Sequence, residues 1–393
     1  LRLNASIEQA PGYPFLRVAE ARQAAQQRGL DIIDLSLGQP TDPAPQAVRD
    51  ALAHGAATLA LCEYPTTAGL AQLRAAISAW IARRYGVELD ADDEILPTLG
   101  AKEPIALLAR LFAKASDKVA LASPSYPVPE RSARAAGLQL AVEVLSAERS
   151  WLPDPAAIPW GDVAIVWLVT PHNPSGAIAP LALLEELAER CRRSGAILAV
   201  DETYSEFWFD GEAPASGLQL ADHSGVVVFN SLSKRSGLAG LRSGFLAGDR
   251  EIVSRIRRHR SDIGTTPPAL VQLASVAAWE DETHVIAARE RYAEKRAVLA
   301  AAARRGALEH TGGPAGIFLW LRVPGGDDIG MFERLLERSL LVVPGSYLGA
   351  GGEGQLRVSL TPSSEQINAA AELLATYGTA TAPRRDRARA RSA

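Results

Sequence analysis

Val226-Val227-Val228-Phe229-Asn230-Ser231-Leu232-Ser233-Lys234, followed at a short interval by Gly240-Leu241-Arg242-Ser243-Gly244, is the stretch on which the reading of this chain turns. Its first part is apolar, β-branched and short, which is how a strand buried on both faces reads. A lysine just beyond such a strand is unusual, because an unpaired ammonium removed from water costs free energy. Two explanations are open. Lys234 is a structural lysine held by a salt bridge, or it is an amine whose pKa is lowered by burial and a nearby cation, freeing it to form a Schiff base. On the second explanation Ser231, Ser233 and Arg242 bind a phosphate, the arginine offering forked donors and a permanent charge.

Working outward, runs of the same kind recur at Ile95 to Leu99, Lys118 to Ala122, Val163 to Val169, Ala196 to Val200 and Ser243 to Gly248. Helical spacing separates many of them: Leu70, Leu73, Ile77, Trp80 and Ile81 share one face, and Leu183, Leu184, Leu187 and Cys191 another. Alternating strands and helices predict an α/β fold with a mostly parallel mixed sheet covered on both faces. After about residue 265 the pattern changes: helices dominate Ala269 to Arg305, then strand, helix, strand and helix follow at 317–323, 331–338, 355–360 and 364–377. That predicts a smaller α+β domain over residues 281–380 beside a large domain over 44–280. Residues 1–43, rich in turn signals, are expected to form an N-terminal arm and part of the small domain. Residues 381–393, with five arginines, are expected to be a disordered basic tail.

Bulk properties narrow the function. Of 393 residues, 22% are charged and the net charge is −4, which marks neither a nucleic-acid nor a membrane binder. No apolar run approaches the ~18–20 residues of a membrane helix. The chain opens on Leu1, and its first 20 residues lack the basic start and apolar run of a secretion signal. Cys62 and Cys191 are too few for a disulfide framework or a metal cluster and read as buried small hydrophobes in a reducing cytoplasm.

Four other stretches carry chemistry. Asp201, in Val200-Asp201-Glu202-Thr203-Tyr204, stands at the carboxyl end of a strand, where open α/β sheets place ligands. It is either a partner for a pyridine nitrogen, with Tyr204 donating to a ring oxygen, or a helix N-cap. Asn173 sits in Pro171-His172-Asn173-Pro174-Ser175-Gly176, a fixed non-helical loop or a plain turn, in which His172 reads as a loop histidine. Leu99-Gly100-Ala101-Lys102-Glu103 joins a strand to a helix whose first N–H groups form an anion site. Arg357 lies in an otherwise apolar strand and needs a partner, either a substrate carboxylate or an internal Asp or Glu.

Taken together, in this order along the chain, these motifs resemble the fold-type I pyridoxal-phosphate enzymes of the class I/II aminotransferases, from Gly38-Gln39-Pro40 to Arg357. The resemblance implies pyridoxal 5'-phosphate as cofactor, with 44–280 as the domain that binds it. It implies that Lys234 is the Schiff-base lysine and proton carrier, and that Asp201 pairs with the pyridinium nitrogen. Asn173 and Tyr204 would face the ring's phenolic oxygen, and Tyr126 would stack on the ring. Gly100, Ala101, Lys102, Ser231, Ser233 and Arg242 match the phosphate cup. Tyr64 is similar to the tyrosine that reaches the neighbouring subunit's phosphate, implying a homodimer with shared sites. Gly38 and Arg357, with Asn173, look like the holders of the substrate's α-carboxylate. Ser243 departs from the family, which more often carries an apolar residue there.

For the substrate, Lys234-Arg235-Ser236 and Pro314-Ala315-Gly316-Ile317-Phe318-Leu319-Trp320 resemble the succinyldiaminopimelate aminotransferases of lysine biosynthesis, although those more often have Asn at Gly237. The expectation is transfer of an α-amino group from N-succinyl-LL-2,6-diaminopimelate to the 2-oxo acid 2-oxoglutarate. Aspartate, alanine or an aromatic donor, and a C–S β-lyase, are the alternatives. A transcription regulator on the same scaffold would need a DNA-binding domain, and residues 1–37 are too few to hold one.

Overall fold

The computed structural model describes residues 13–59 and 63–376. Cys62 and the basic tail therefore lie outside the described residues. Strand β1 (Ile33–Asp34) precedes the main sheet, which is built from β2 (Ile95–Thr98), β3 (Lys118–Ser123), β4 (Gln139–Val144), β5 (Val163–Val169), β6 (Ile197–Asp201), β7 (Val226–Ser231) and β8 (Gly244–Gly248). Their order is β2-β8-β7-β6-β5-β3-β4. All neighbours are parallel except β8, which runs antiparallel to both β2 and β7.

The continuous apolar runs are explained by burial on two faces. In β6, Leu198 and Val200 enter one core while Ile197 and Ala199 enter the other, and in β7 Val226 and Val228 oppose Val227 and Phe229 in the same way. Side chains alternate with period two, so a strand with both faces covered is apolar throughout. Helices Ala71–Tyr85, Leu181–Ser194 and Ala269–Glu280 cover the first face, and Lys102–Phe112 and Arg250–Ile263 the second.

A third core holds Leu35 together with Tyr292, Trp320, Leu341, Val358 and Leu374. It lies on β9 (Glu309–His310), β10 (Phe318–Arg322), β12 (Val343–Pro344) and β13 (Gln355–Ser359), which form a four-stranded antiparallel sheet. The remaining strand, β11 (Leu340–Leu341), pairs in parallel with β1, so the opening segment is stitched to this core. Two of the elements not read from the sequence bear on the edges of the fold. Residues read as turn-rich form a helix, Pro14–Gln27, and β4 closes one edge of the main sheet. Among the described residues no helix is long and apolar enough to cross a membrane, and no cluster of His, Cys, Asp and Glu could hold a metal. Cys191 is buried, as a small hydrophobe would be.

Candidate active site

The carboxyl ends of β5, β6 and β7 and the turn after β2 meet at one cavity of about 320 Å³. Lys234 reaches it from a single helical turn, Leu232–Arg235, that follows β7. No carboxylate of the described residues forms an ion pair with it, so the salt-bridged alternative is not met. Its Nζ donates instead to the Gly38 carbonyl. Burial, and then Arg357, Lys102 and Arg242, bring its pKa down to about 8, against a smaller opposing pull from Asp201. Gly38 has no room for a side chain, because a Cβ there would stand 2.7 Å from the Phe318 ring.

One end of the cavity gathers hydroxyls and cations. Ser231 Oγ accepts from the Ser233 N–H at 3.1 Å and donates to the Ser243 carbonyl at 3.0 Å. Arg242 takes a left-handed backbone (φ 52°), and its guanidinium donates to the Ala239 carbonyl at 3.0 Å, the Leu99 carbonyl at 3.2 Å and Ser233 Oγ at 3.4 Å. Gly100 turns the chain under it at φ 68°, and Ala101 leads into the helix Lys102–Phe112, so that the helix N-terminus and Lys102 face the same space. Burial lowers the Lys102 pKa, assisted by Arg242. Ser243, the departure from the family, hydrogen-bonds Ser275 at 2.7 Å, a buried polar pair in place of an apolar contact.

In the same cavity Asp201 is buried, and its carboxylate accepts from Thr203 N–H at 3.0 Å and Thr203 Oγ1 at 2.5 Å. Burial raises its pKa, while those two bonds and Lys234 oppose the rise. No helix starts here, which sets aside the N-cap alternative. Asn173 Nδ2 donates to Tyr204 Oη at 3.3 Å, while its Oδ1 accepts from Arg357 at 3.2 Å. Tyr126 lines the same cavity. His172 bonds Ser175 at 2.8 Å, and burial holds it near pKa 4, a neutral loop histidine as read.

Arg357 is 2% exposed. Its guanidinium lies 4.1 Å from the Phe318 ring centroid and 4.8 Å from that of Phe15, and it donates to the Ser36 carbonyl at 2.8 Å. Nε has no partner, and no Asp or Glu of the described residues pairs with it, so the internal-acid alternative is also not met. A fully buried cation without an anion is a strong mark of a missing anionic ligand.

Two expected residues are placed differently from the rest. Tyr64 is 98% exposed and does not line the cavity. Arg235, taken as a cue to the substrate, points the other way: it is 1% exposed, its guanidinium lies 4.8 Å from the Trp279 ring centroid and 5.6 Å from that of Trp80, and it pairs with Glu282 at 2.5 Å. Sequence reasoning passed over Thr203, Ser36 and Phe15. The first was two residues from Asp201 and discoverable as an Asx turn; the others act through a carbonyl and a ring face, which leave no motif.

A family model, aminotransferase class I and II, matches residues 30–374. The chain belongs to that family. It is 33% identical to the LL-diaminopimelate aminotransferase of Dehalococcoides mccartyi, over 96% of this chain and 99% of that one. It is 38% identical to a 4-dedimethylamino-4-oxo-anhydrotetracycline transaminase of Streptomyces rimosus, over 94% of this chain and all of that one. Among solved structures, an aminotransferase of Neisseria meningitidis superposes with a TM-score of 0.89 at 33% identity, covering 95% of this chain and 100% of that one. A probable N-succinyldiaminopimelate aminotransferase of Thermus thermophilus gives 0.85, also at 33%, with 93% and 100% covered. Enzymes of this family use pyridoxal 5'-phosphate. The site's donor set fits that group: a part-buried lysine, with no ion pair among the described residues, shares its cavity with hydroxyls and cations suited to a phosphate and a buried carboxylate suited to a ring nitrogen.

Proposed function

We propose that this aminotransferase moves an α-amino group to 2-oxoglutarate, and that its donor is N-succinyl-LL-2,6-diaminopimelate. The observation that carries the amino-acid part is Arg357, buried and stacked with no carboxylate partner, joined through Asn173 to the cavity that holds Lys234. A forked guanidinium in that setting fits an α-carboxylate. The donor itself is supported by two relatives, whose names are LL-diaminopimelate aminotransferase and probable N-succinyldiaminopimelate aminotransferase. The Streptomyces transaminase, more identical at 38%, is named for a different substrate, so a second reading keeps another amino acid such as aspartate, alanine or an aromatic as the donor.

In this reading Lys234 would tether the cofactor, while Gly100, Ala101, Lys102, Ser231, Ser233 and Arg242 would hold its phosphate. Tyr126 would cover the ring face, Asn173 and Tyr204 would meet its oxygen, and Asp201 would keep a proton on its nitrogen. When bound, the cofactor supplies an electron-poor conjugated ring able to take up the charge left by a departing α-proton. Lys234 Nζ, freed from the cofactor, would remove a proton from the α-carbon and return one to the neighbouring atom. Thr203 donates twice to Asp201 and so offsets part of the rise in pKa that burial imposes on it. Gly38 and Arg357 would hold the α-carboxylate and so fix the donor's orientation beside Lys234. Tyr64 completes the neighbouring subunit's phosphate site in a cytoplasmic homodimer.

A donor screen with 2-oxoglutarate tests the proposal. Glutamate should form fastest, by kcat/KM, with N-succinyl-LL-2,6-diaminopimelate. Preference for another amino acid by tenfold or more would replace the donor. Pyruvate released from cystathionine without any oxo acid would replace transamination by C–S β-lysis.

A further inference from the structure

Leu99 is gripped from two sides. Its carbonyl accepts from Arg242 at 3.2 Å, and its N–H donates to Glu103 at 2.6 Å. Glu103 is in turn forked by Arg260, at 2.7 and 3.0 Å. Arg260 comes from the helix Arg250–Ile263 and is fully buried, with Glu103 only 9% exposed. The third donor of the fork runs elsewhere: Arg260 Nη1 donates to the Thr67 carbonyl at 3.1 Å, three residues from Tyr64. The loop beyond Thr67 is pinned as well, since Arg74 donates to the Gly69 carbonyl at 2.7 Å and Gln272 accepts from Leu70 N–H at 2.6 Å. A loop this firmly held, bearing a tyrosine that is 98% exposed, presents that ring outward at a fixed place.

We infer that the Glu103–Arg260 ion pair is a positioning pair for two active sites at once: through Leu99 it sets the phosphate cup of its own subunit, and through Thr67 the loop that carries Tyr64 to the neighbour. The inference rests on the shared-site dimer of the proposed function. Neither residue touches the cavity. Both act through backbone groups, so their effect is on where donors stand, not on which donors exist. The fork geometry is what links the two branches, because one planar guanidinium serves the carboxylate and the carbonyl together.

Cofactor release, followed by visible absorbance without any amino acid, tests this independently of the donor. Homodimers of Glu103→Gln should release cofactor about tenfold faster than wild type, the loss of charged hydrogen bonds to the cup. The deciding measurement uses a hybrid dimer in which one subunit is wild type and the other carries Glu103→Gln with Lys234→Ala, leaving a single tethering site. That site has an intact cup of its own but receives the variant's Tyr64. It should release cofactor severalfold faster than in a hybrid whose second subunit carries Lys234→Ala alone. Adding Tyr64→Phe to the variant subunit should produce no further change. Equal release in the two hybrids, or a Tyr64→Phe effect that simply adds, would overturn the inference. Arg260→Lys, which keeps the charge but loses the fork, gives the same comparison if Glu103→Gln fails to fold. Sedimentation of the wild type separates the two readings: a monomer removes the shared-site dimer and this inference together, whereas a dimer with equal release removes only this inference.

Discussion

At the scale of residues, the site works by placing charges where water would not leave them. Lys234 owes its low pKa first to burial and then to Arg357, Lys102 and Arg242. Since only the neutral amine attacks an aldehyde, capture of cofactor by the cofactor-free enzyme should speed up as pH rises through about 8 and level off above it. Lys102→Met removes one of those cations, so the same profile should move to higher pH; stopped-flow absorbance records both. Arg357 makes the complementary case. Arg357→Lys keeps a charge and loses the fork, and steady-state kinetics should show KM for the amino donor rising about tenfold or more while cofactor content is unchanged. The residues legible in the sequence were those that must be one chemical type, such as Lys234, Asp201 and Arg357. Glu103 and Arg260 were not, because a carboxylate and a guanidinium on two helices reveal their partnership only when the chain brings residues 103 and 260 together.

At the scale of elements, six of the seven main strands were legible because burial on both faces leaves a continuous apolar run. Strand β4 was not: it lies at the sheet's edge, and Val142 and Val144 are 47% and 56% exposed, so no second core enforces its composition. The helix Pro14–Gln27 escaped for a related reason, with only Val18 and Ala25 buried along 14 residues. The turn between β2 and the helix Lys102–Phe112 shows how an element tunes chemistry. Gly100→Ala forces a side chain onto a left-handed backbone and sets its Cβ 2.7 Å from Arg242 Nη2, so the guanidinium must shift. The backbone cost is about 1–2 kcal/mol. Equilibrium dialysis should find cofactor affinity lowered about tenfold, and a larger fall than the loss in melting temperature would imply.

At the scale of the whole molecule, the site is assembled from two cores. Ser36, Gly38 and Arg357 come from beside the small sheet, and Asp201, Lys234 and Arg242 from the large one. Arg235 stands near the junction between them, touching Trp279 in the last turn of one helix and Glu282, which precedes the next. Arg235→Ala should therefore lower stability by about 2–4 kcal/mol, read by denaturant unfolding, while leaving the ranking of amino donors as it was. A changed ranking would show that the junction reaches the substrate.

The buried place of Arg235 has a practical reach. Two residues directly after the proposed Schiff-base lysine invite use as a label for the substrate, yet here they form part of the masonry. A family tree drawn on them would sort chains by how their halves are joined, and a directed-evolution library spent on them would return misfolded protein before any new specificity. Mutational effort aimed at a new donor belongs instead on the walls around Arg357 and Tyr126.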